Sequence, residues 1–419
     1  MSRAVAENAF AAACRVCDPA RAVTLWLAAH RAQIVGGHVF GVAIGKAAVA
    51  MARGAGAVER GVAVTVDGHG DAEVPAGWRV VVSSHPIPDD RSLAAARAVI
   101  EIVEAAGPGD VVLALISGGA SALVEEPLIP LADFVAITSA LMAHGAPIHE
   151  LNVVRGALSA IKAGGLARRC RGRIVTLVAS DVIGDDLHVI GSGPTIIDPI
   201  DHTIDRAIDR AIDRARAKAI LERAGLVVPT LLEASADQRV ARVDPADPRG
   251  DDTAALVLPM SRFAEAVRDE IEQDRPARLI AEPIAGDVDM VAAMLVGAAG
   301  TTSEILVAWG EPTLQVPHDH GEGGRAQQLA LALAKRLRGS ARWAFVAGSD
   351  GIDGPAPRGR PAPAGAFVDG ATWDLLVTRG LDPERALARC DAGSVLAAIG
   401  ALVVTGATGI NYADVAIVG

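Results

Sequence analysis

Aromatic residues are scarce in this chain: one Tyr, five Trp and six Phe, 3% of 419 residues. Its core must therefore be filled by Ala, Val, Leu and Ile, as in parallel strands covered by Ala-rich helices. Cysteine is scarce too. Cys14, Cys17, Cys170 and Cys390 are too few for a disulfide framework in a chain this long. Cys14 and Cys17 form a C-x-x-C on an Ala-rich helical stretch with no second pair, and read as small packing residues. A basic excess is absent: the net charge is −11 and the pI about 5.4. That disfavours nucleic-acid binding, whereas a small anionic substrate needs only a local basic pocket. No run of 18 apolar residues lacks charges or helix breakers, and MSRAVAENAF lacks the pattern of a secretory signal. The expectation is a soluble cytoplasmic protein, monomer or homodimer, that meets neither nucleic acid nor membrane.

What is present is ample for a globular fold: 51% hydrophobic and 21% charged residues. The length points to two domains. Strand patterns at 38–44, 61–66, 78–83, 110–116 and 173–179 alternate with helical patterns at 46–54, 92–106, 131–143 and 150–161, after one or two helices over 3–31. Such alternation predicts a parallel, doubly wound sheet. Residues 204–214 read IDRAIDRAIDR. On a helix this repeat puts Ile204, Ile208 and Ile212 near one face and lets Arg206 pair with Asp209 and Arg210 with Asp213. It reads as a surface helix.

Residues 225–275, with Pro229, Pro245, Pro248, Gly250, Asp251 and Asp252, read as the seam between domains 1–240 and 255–419. Strand patterns resume at 278–281, 303–309, 342–347, 401–405 and 414–418, implying a second α/β unit. The Pro-rich stretch 354–366 is a loop.

Five junctions place glycine beside Ser, Asp, Lys or Glu after an apolar run. In open α/β sheets, ligands bind outside the carboxyl ends of strands, where glycine lets backbone N–H groups approach a phosphate. At the first, Gly41-Val42-Ala43-Ile44-Gly45-Lys46-Ala47 is neither a Walker A loop nor a dinucleotide fingerprint, yet Lys46 stands poised as a point charge on an anion. Ser117-Gly118-Gly119-Ala120-Ser121 suits an anion nest. Asp181 and Asp185, in Ser180-Asp181-Val182-Ile183-Gly184-Asp185, can share Mg²⁺, which takes oxygen ligands and substrate phosphates. Gly310-Glu311-Pro312-Thr313 and the glycine-rich start of a helix at Arg325 suit phosphate or carboxylate. Asp350 and Asp353 are further candidates for metal or hydroxyl binding. Asn152 and Arg155 share one helix face. His318 and His320 flank Asp319 without a third ligand and read as loop polarity.

These motifs resemble the glycerate 2-kinase family with a C-terminal MOFRL domain, once often labelled hydroxypyruvate reductase. The matching stretches are Gly45-Lys46-Ala47, SHPIPD, SGGASAL (117–123), HELNVVRGALSAIKAGG (149–165), SDVIGDD with GSGPT, GEPT (310–313), GEGGRAQQLALA (321–332), GSDGIDGP (348–355) and TGATGINYADV (405–415). The resemblance runs nearly end to end. It implies two Rossmann-like α/β domains with the active site in a cleft between them, the first a doubly wound parallel sheet and the second the MOFRL domain. It implies ATP-dependent phosphorylation of D-glycerate at C2 with Mg²⁺, and Lys46 and Arg325 match positions expected to hold substrate or phosphate. The chain departs from the family pattern at Trp309, at Ala326-Gln327-Gln328 and at TGATGINYAD. Gln328 replaces a carboxylate, so no metal is assigned there.

The resulting site has Lys46, Arg325 and Asp181 as catalytic candidates. Ser117, Gly118, Gly119, Ser121, Asn152, Arg155, Glu311 and Thr313 are substrate- or phosphate-binding candidates, and Asp181, Asp185, Asp350 and Asp353 metal candidates. The alternatives are an NAD(P)H-dependent hydroxypyruvate reductase and a non-catalytic sugar-acid sensor.

Overall fold

Apolar runs too short and too β-branched for helices supply six strands: β1 Val39–Ile44, β2 Arg60–Thr65, β3 Trp78–Val82, β4 Val111–Ile116, β5 Arg173–Ala179 and β6 Thr253–Leu258. In the computed structural model, which describes residues 2–68, 73–197, 206–233, 252–355 and 361–419, they form one sheet in the order β3-β2-β1-β4-β5-β6. Every pair is parallel. This is the strand order of a Rossmann sheet. All six residues of β4 are buried, as expected where helices cover both faces. The even-numbered residues of β1, β2 and β4 pack on the helix Asp90–Ala105. Asp89 and Ser92 close a capping box at that helix's start. The helix Ala48–Ala55 packs on the same three strands.

Strand β6 falls inside the stretch read as a seam. Its TAALVL run is short, and the Pro, Gly and Asp residues before it hide it from a periodicity reading. Its neighbour Asp252 accepts a hydrogen bond from the Ile174 amide at 2.7 Å. Pro245, Pro248, Gly250 and Asp251 lie outside the described residues, as do 356–360 of the Pro-rich loop. The repeat helix runs Arg206–Arg223. It packs Ala217, Ile220 and Leu221 against Leu151 and Val154 of the helix Ile148–Ala157. Residues 204 and 205, and the side chains of 206–211 that carry the expected ion pairs, lie outside the description.

The chain divides into two compact units, Pro19–Pro259 and Met1–Asp18 with Met260–Gly419. The structure thus groups the first helix, Ser2–Val16, with the C-terminal unit, whereas the sequence reading put it in a 1–240 domain. The cause is aromatic packing. Phe10 meets Phe263 edge-on at 5.2 Å and Phe345 at 5.7 Å, and Arg3 donates to the carbonyls of Gly400 and Leu402. Cys17 sits in the same packing, and burial pushes its thiol up to about 12, consistent with a packing role.

The strands of the second unit are β7 Ala277–Leu279, β8 Ile284–Asp287, β9 Ile305–Thr313, β10 Trp343–Gly348, β11 Gly365–Asp369, β12 Leu402–Val403 and β13 Asp414–Val418. Their order is β12-β11-β10-β13-β9-β7, with β8 also on β9. The sheet is mixed: β10 is antiparallel to β11 and β13, β13 is antiparallel to β9, and only β7 and β8 run parallel to β9. The helix Arg325–Leu337 packs on it with every residue from Ala326 to Ala334 buried. No helix among the described residues is long and apolar enough to cross a membrane.

Phe10→Ala should destabilise the C-terminal unit by about 3–5 kcal/mol, the usual range for a buried Phe. Hydrogen exchange would show faster opening of β10 with β4 unchanged. Equal acceleration in both strands would contradict the division.

Candidate active site

The first unit has a topological switch point: β1 has β2 on one side and β4 on the other, and the connections leave in opposite directions. Ligands bind at the carboxyl ends of strands at such a point. Here those ends carry Gly45-Lys46-Ala47 after β1 and Ser117–Ser121 after β4. The two loops are hydrogen-bonded together. The Lys46 amide donates to the Gly118 carbonyl at 2.9 Å, and the Ala47 amide to Ser117 Oγ at 3.1 Å. Gly45 has φ 133°, and a Cβ there would stand 2.1 Å from Ser117 Oγ, so only glycine fits. Ser117 is buried and holds the Lys46 loop in place.

Gly119 has φ 85°. A Cβ on it would stand 3.1 Å from His85 Cδ2 and 3.5 Å from Lys46 Cγ. His85 thus joins the site, although the sequence reading treated SHPIPD only as a rigid turn. Burial and the Lys46 charge lower its pKa, so the imidazole is neutral at pH 7. The Lys46 ammonium makes no ion pair or hydrogen bond with any described residue of its unit.

Ser121 continues the loop. Asn152 Oδ1 accepts from Ser192 Oγ at 3.0 Å, and Asn152 Nδ2 donates to the Val189 carbonyl at 3.3 Å. Ser192 Oγ lies 2.9 Å from Ser121 Oγ. A hydroxyl has one proton, and that of Ser192 goes to Asn152, so Ser121 donates to Ser192. Asn152 therefore acts through Ser192 on Ser121, a link the sequence did not signal.

Beneath this loop Lys162 and Glu125 form a buried ion pair, 3.1 Å apart and 2% and 0% exposed. Lys162 also donates to the Ser121 carbonyl at 2.7 Å, and Ser159 donates to Glu125 at 2.6 Å. Burial lowers the pKa of Lys162, and Glu125 opposes the shift.

In the second unit, Arg325 opens its helix and is held by carboxylates. Nε lies 2.6 Å from Asp414 Oδ2, and Nη2 lies 3.2 Å from Asp414 Oδ1 and 3.4 Å from Glu311 Oε1. Burial of Arg325 lowers its pKa, but Asp414, Glu311 and Asp353 outweigh that and hold it above the ordinary value. Asp414 is pushed up to about 6, first by burial, then by the charges of Asp353 and Glu311, against the pull of Arg325. Nothing in the sequence marked Asp414 beyond its place in the late motif.

Glu311 and Thr313 lie within β9, not in a loop after it. Beyond Gly310, β9 is paired on one side only, by β8, and Pro312 is tolerated at such an edge.

Asp353 is differently engaged from a metal ligand. Its carboxylate accepts the Ala326 and Gln327 amides at 2.9 and 2.7 Å, capping the Arg325 helix. Asp350 Oδ1 accepts the Ile352 amide at 2.9 Å. Among the described residues, no three His, Cys, Asp or Glu side chains gather as a metal cage, so the structure does not bring Asp350 and Asp353 into one.

Two family profiles match the chain: a domain of unknown function (DUF4147) over residues 5–224 and the MOFRL family over 304–414. The D-glycerate 2-kinase of Thermotoga maritima is 33% identical, over 90% of this chain and 89% of that protein. A protein of Agrobacterium vitis provisionally named hydroxypyruvate reductase is 35% identical, over 89% of this chain and 97% of its own length. The crystal structure of the Thermotoga maritima glycerate kinase superposes with a TM-score of 0.82 at 30% identity, covering 99% of this chain and 98% of that one. This chain belongs to the glycerate 2-kinase family. Three of the residues that depart from the family pattern make local hydrogen bonds, although Gln328 leaves its buried Oε1 without a partner among the described residues. Trp309 donates to the Ile280 carbonyl at 3.1 Å, Gln327 bonds Asp353, and Gln328 donates to the Leu387 carbonyl at 2.7 Å.

Two outcomes follow for this family member. Lys162→Met strands Glu125 and should cost about 3–5 kcal/mol. Adding Glu125→Gln should recover part of that in urea unfolding, and no recovery would mean the pair is not coupled. For Asp414, the native state binds more protons than the unfolded state between pH 3.8 and about 6. Its contribution therefore turns unfavourable as pH rises through that window. Relative to Asp414→Asn, the wild-type Tm should fall from pH 4 to 6, and a pH-independent difference would contradict the shift.

Proposed function

We propose that this chain transfers the γ-phosphate of ATP to the C2 hydroxyl of D-glycerate, giving 2-phosphoglycerate and ADP. One observation carries the reading: an ammonium without a partner in its unit, Lys46, stands at the switch point of a Rossmann-ordered sheet in a chain that matches a D-glycerate 2-kinase over nine-tenths of its length. Phosphoryl transfer asks little covalent chemistry of the protein and depends on positioning and charge neutralisation. Lys46 neutralises phosphate oxygens, and the Gly118-Gly119 turn gives them close approach to backbone N–H groups. Arg325, with Nε and Nη2 tied to Asp414 and Glu311, presents Nη1 to an anion. His85, neutral beside Lys46, is a candidate to accept the hydroxyl proton, as is Asp181.

Mg²⁺ in such enzymes takes one or two carboxylates and completes its shell with phosphates and water. Asp181 and Asp185, which follow β5, would supply those carboxylates, whereas Asp353 is spent on capping. Bound there, Mg²⁺ would neutralise charge on the phosphates. The protein works in the cytoplasm on small molecules, as monomer or homodimer.

The test is ATP, Mg²⁺ and D-glycerate coupled to enolase without a mutase. Phosphoenolpyruvate formation is expected and identifies transfer to C2. ADP without phosphoenolpyruvate would refute the C2 assignment. If neither product forms and NADH is consumed with hydroxypyruvate, the reductase name carried by one relative is the right one. Lys46→Ala should lower kcat about 10²–10³-fold, as for loss of one stabilising donor, with thermal unfolding unchanged. Arg325→Ala should also lower turnover, but it destabilises its unit because Asp414 is left buried without its cation.

A further inference from the structure

Among the described residues, four non-glycine residues have positive φ: Ala163, Asp185, Ser192 and Cys390. Such a backbone is unfavourable for any side chain with a Cβ and persists only where the surroundings hold it, most often at functional sites. Two of the four are bonded to each other. The Ala163 amide donates to the Ser192 carbonyl at 2.9 Å, and beside it the Gly164 amide donates to the Gly193 carbonyl at 2.7 Å. Ser192, with φ 62°, stands between two glycines of like backbone, Gly191 at 62° and Gly193 at 56°. Glycine would suit the backbone better at 192 as well. What glycine lacks is the hydroxyl.

That hydroxyl is buried and has two partners, Asn152 Oδ1 at 3.0 Å and Ser121 Oγ at 2.9 Å. Ser121 is held a second time, since its carbonyl accepts from Lys162 Nζ at 2.7 Å. Lys162 precedes Ala163, whose amide returns to Ser192. The contacts therefore close a ring: Ser121 to Lys162, along the chain to Ala163, across to Ser192 and back to Ser121. The turn at Ser192 also lies against the loop itself, because a Cβ on Gly191 would stand 3.1 Å from Ala120 Cβ. Such a ring fixes a Ser121 side chain that alone could sample all its staggered positions. Ser121 ends the Ser117–Ser121 loop, whose first residues carry the bonds to the Lys46 loop.

We propose that Ser192 is a positioning residue for phosphoryl transfer: it acts through Ser121, and its left-handed backbone is kept for the place it gives the hydroxyl. Buried as it is, Ser192 works without touching substrate. The proposal deepens the kinase reading and rests on it for the activity assay.

Wild type, Ser192→Gly, Ser192→Ala, Ser121→Ala and the double variant Ser121→Ala/Ser192→Gly are compared by steady-state kinetics with ATP and D-glycerate and by thermal unfolding. Glycine fits φ 62° and alanine does not, so Ser192→Gly should have the higher Tm of the two. Both lack the hydroxyl, so both should lose kcat/KM by the same factor, about 10–100-fold, the scale of a misplaced group at an active site. Ser121→Ala should lose at least as much, and the double variant no more than Ser121→Ala alone, because residues that act as a unit are not additive. A serine with a merely structural role gives a different pattern: turnover follows Tm, and Ser192→Gly stays near wild type. That pattern overturns the proposal, as do losses that multiply in the double variant. If wild type does not phosphorylate glycerate, the kinase reading fails and hydrogen exchange decides this one. Faster exchange across 117–123 in Ser192→Gly sustains Ser192 as the residue that positions the loop, and unchanged exchange refutes it.

Discussion

Two hydrogen bonds between neighbouring strand ends hold the first unit's chemistry together: the Lys46 amide to the Gly118 carbonyl and the Ala47 amide to Ser117 Oγ. They are possible because β1 and β4 are adjacent and parallel, so both chains leave the sheet at the same edge. They are close because Gly45 has no side chain to collide with Ser117. Once they form, the directions of Lys46 and of the glycine turn are set together. A lysine on a mobile loop is only a solvated charge; one clamped at its own amide is a positioned one. The same loop is braced from below by a buried Lys162–Glu125 pair that contacts the Ser121 carbonyl and from the side by Ser192 and Asn152.

The second unit solves a different problem, how to keep an arginine aimed at the start of a helix whose dipole repels it. Arg325 is the first residue of its helix, where a positive charge is unfavourable. Asp353 caps the orphan amides and Asp414 and Glu311 surround the guanidinium. Burial is the main reason that Asp414 is pushed up to about 6, and the neighbouring carboxylates Asp353 and Glu311 add to it against the pull of Arg325. Nε and Nη2 of Arg325 are fixed by Asp414 and Glu311. Two neighbouring departures from the family pattern lie on the same helix, and Gln328 leaves its buried Oε1 without a hydrogen-bond partner among the described residues. Gln327 still bonds Asp353, and Gln328 still bonds a backbone carbonyl.

Much of this was legible in the sequence. Strands 173–179 and 414–418 and the helix 131–143 were read at their observed limits, because long apolar or amphipathic runs bounded by turn residues admit one period. The motif loops fell at strand ends in the first unit. Less legible was anything dependent on a partner distant in sequence. Strands β6 and β8 are short and lie among breakers. β9 runs on through Pro312 because β8, an unread strand, pairs with it. His85, Asp414 and the Ser192–Asn152 relay were named in motifs without any sign of what they touch.

Sequence by itself determined the α/β class, the parallel first sheet, the family and the presence of Lys46 and Arg325, since these follow from periodicity, composition and motif order along the chain. Tertiary structure decided which unit owns the first helix, because Phe10 selects its neighbours by packing and not by chain order. It also decided that Asp353 is a cap and that Asp414 is the partner of Arg325. A side chain's chemistry is fixed by the residue, but its charge state and its freedom to bind depend on what lies within a few ångströms, and only the folded chain sets that.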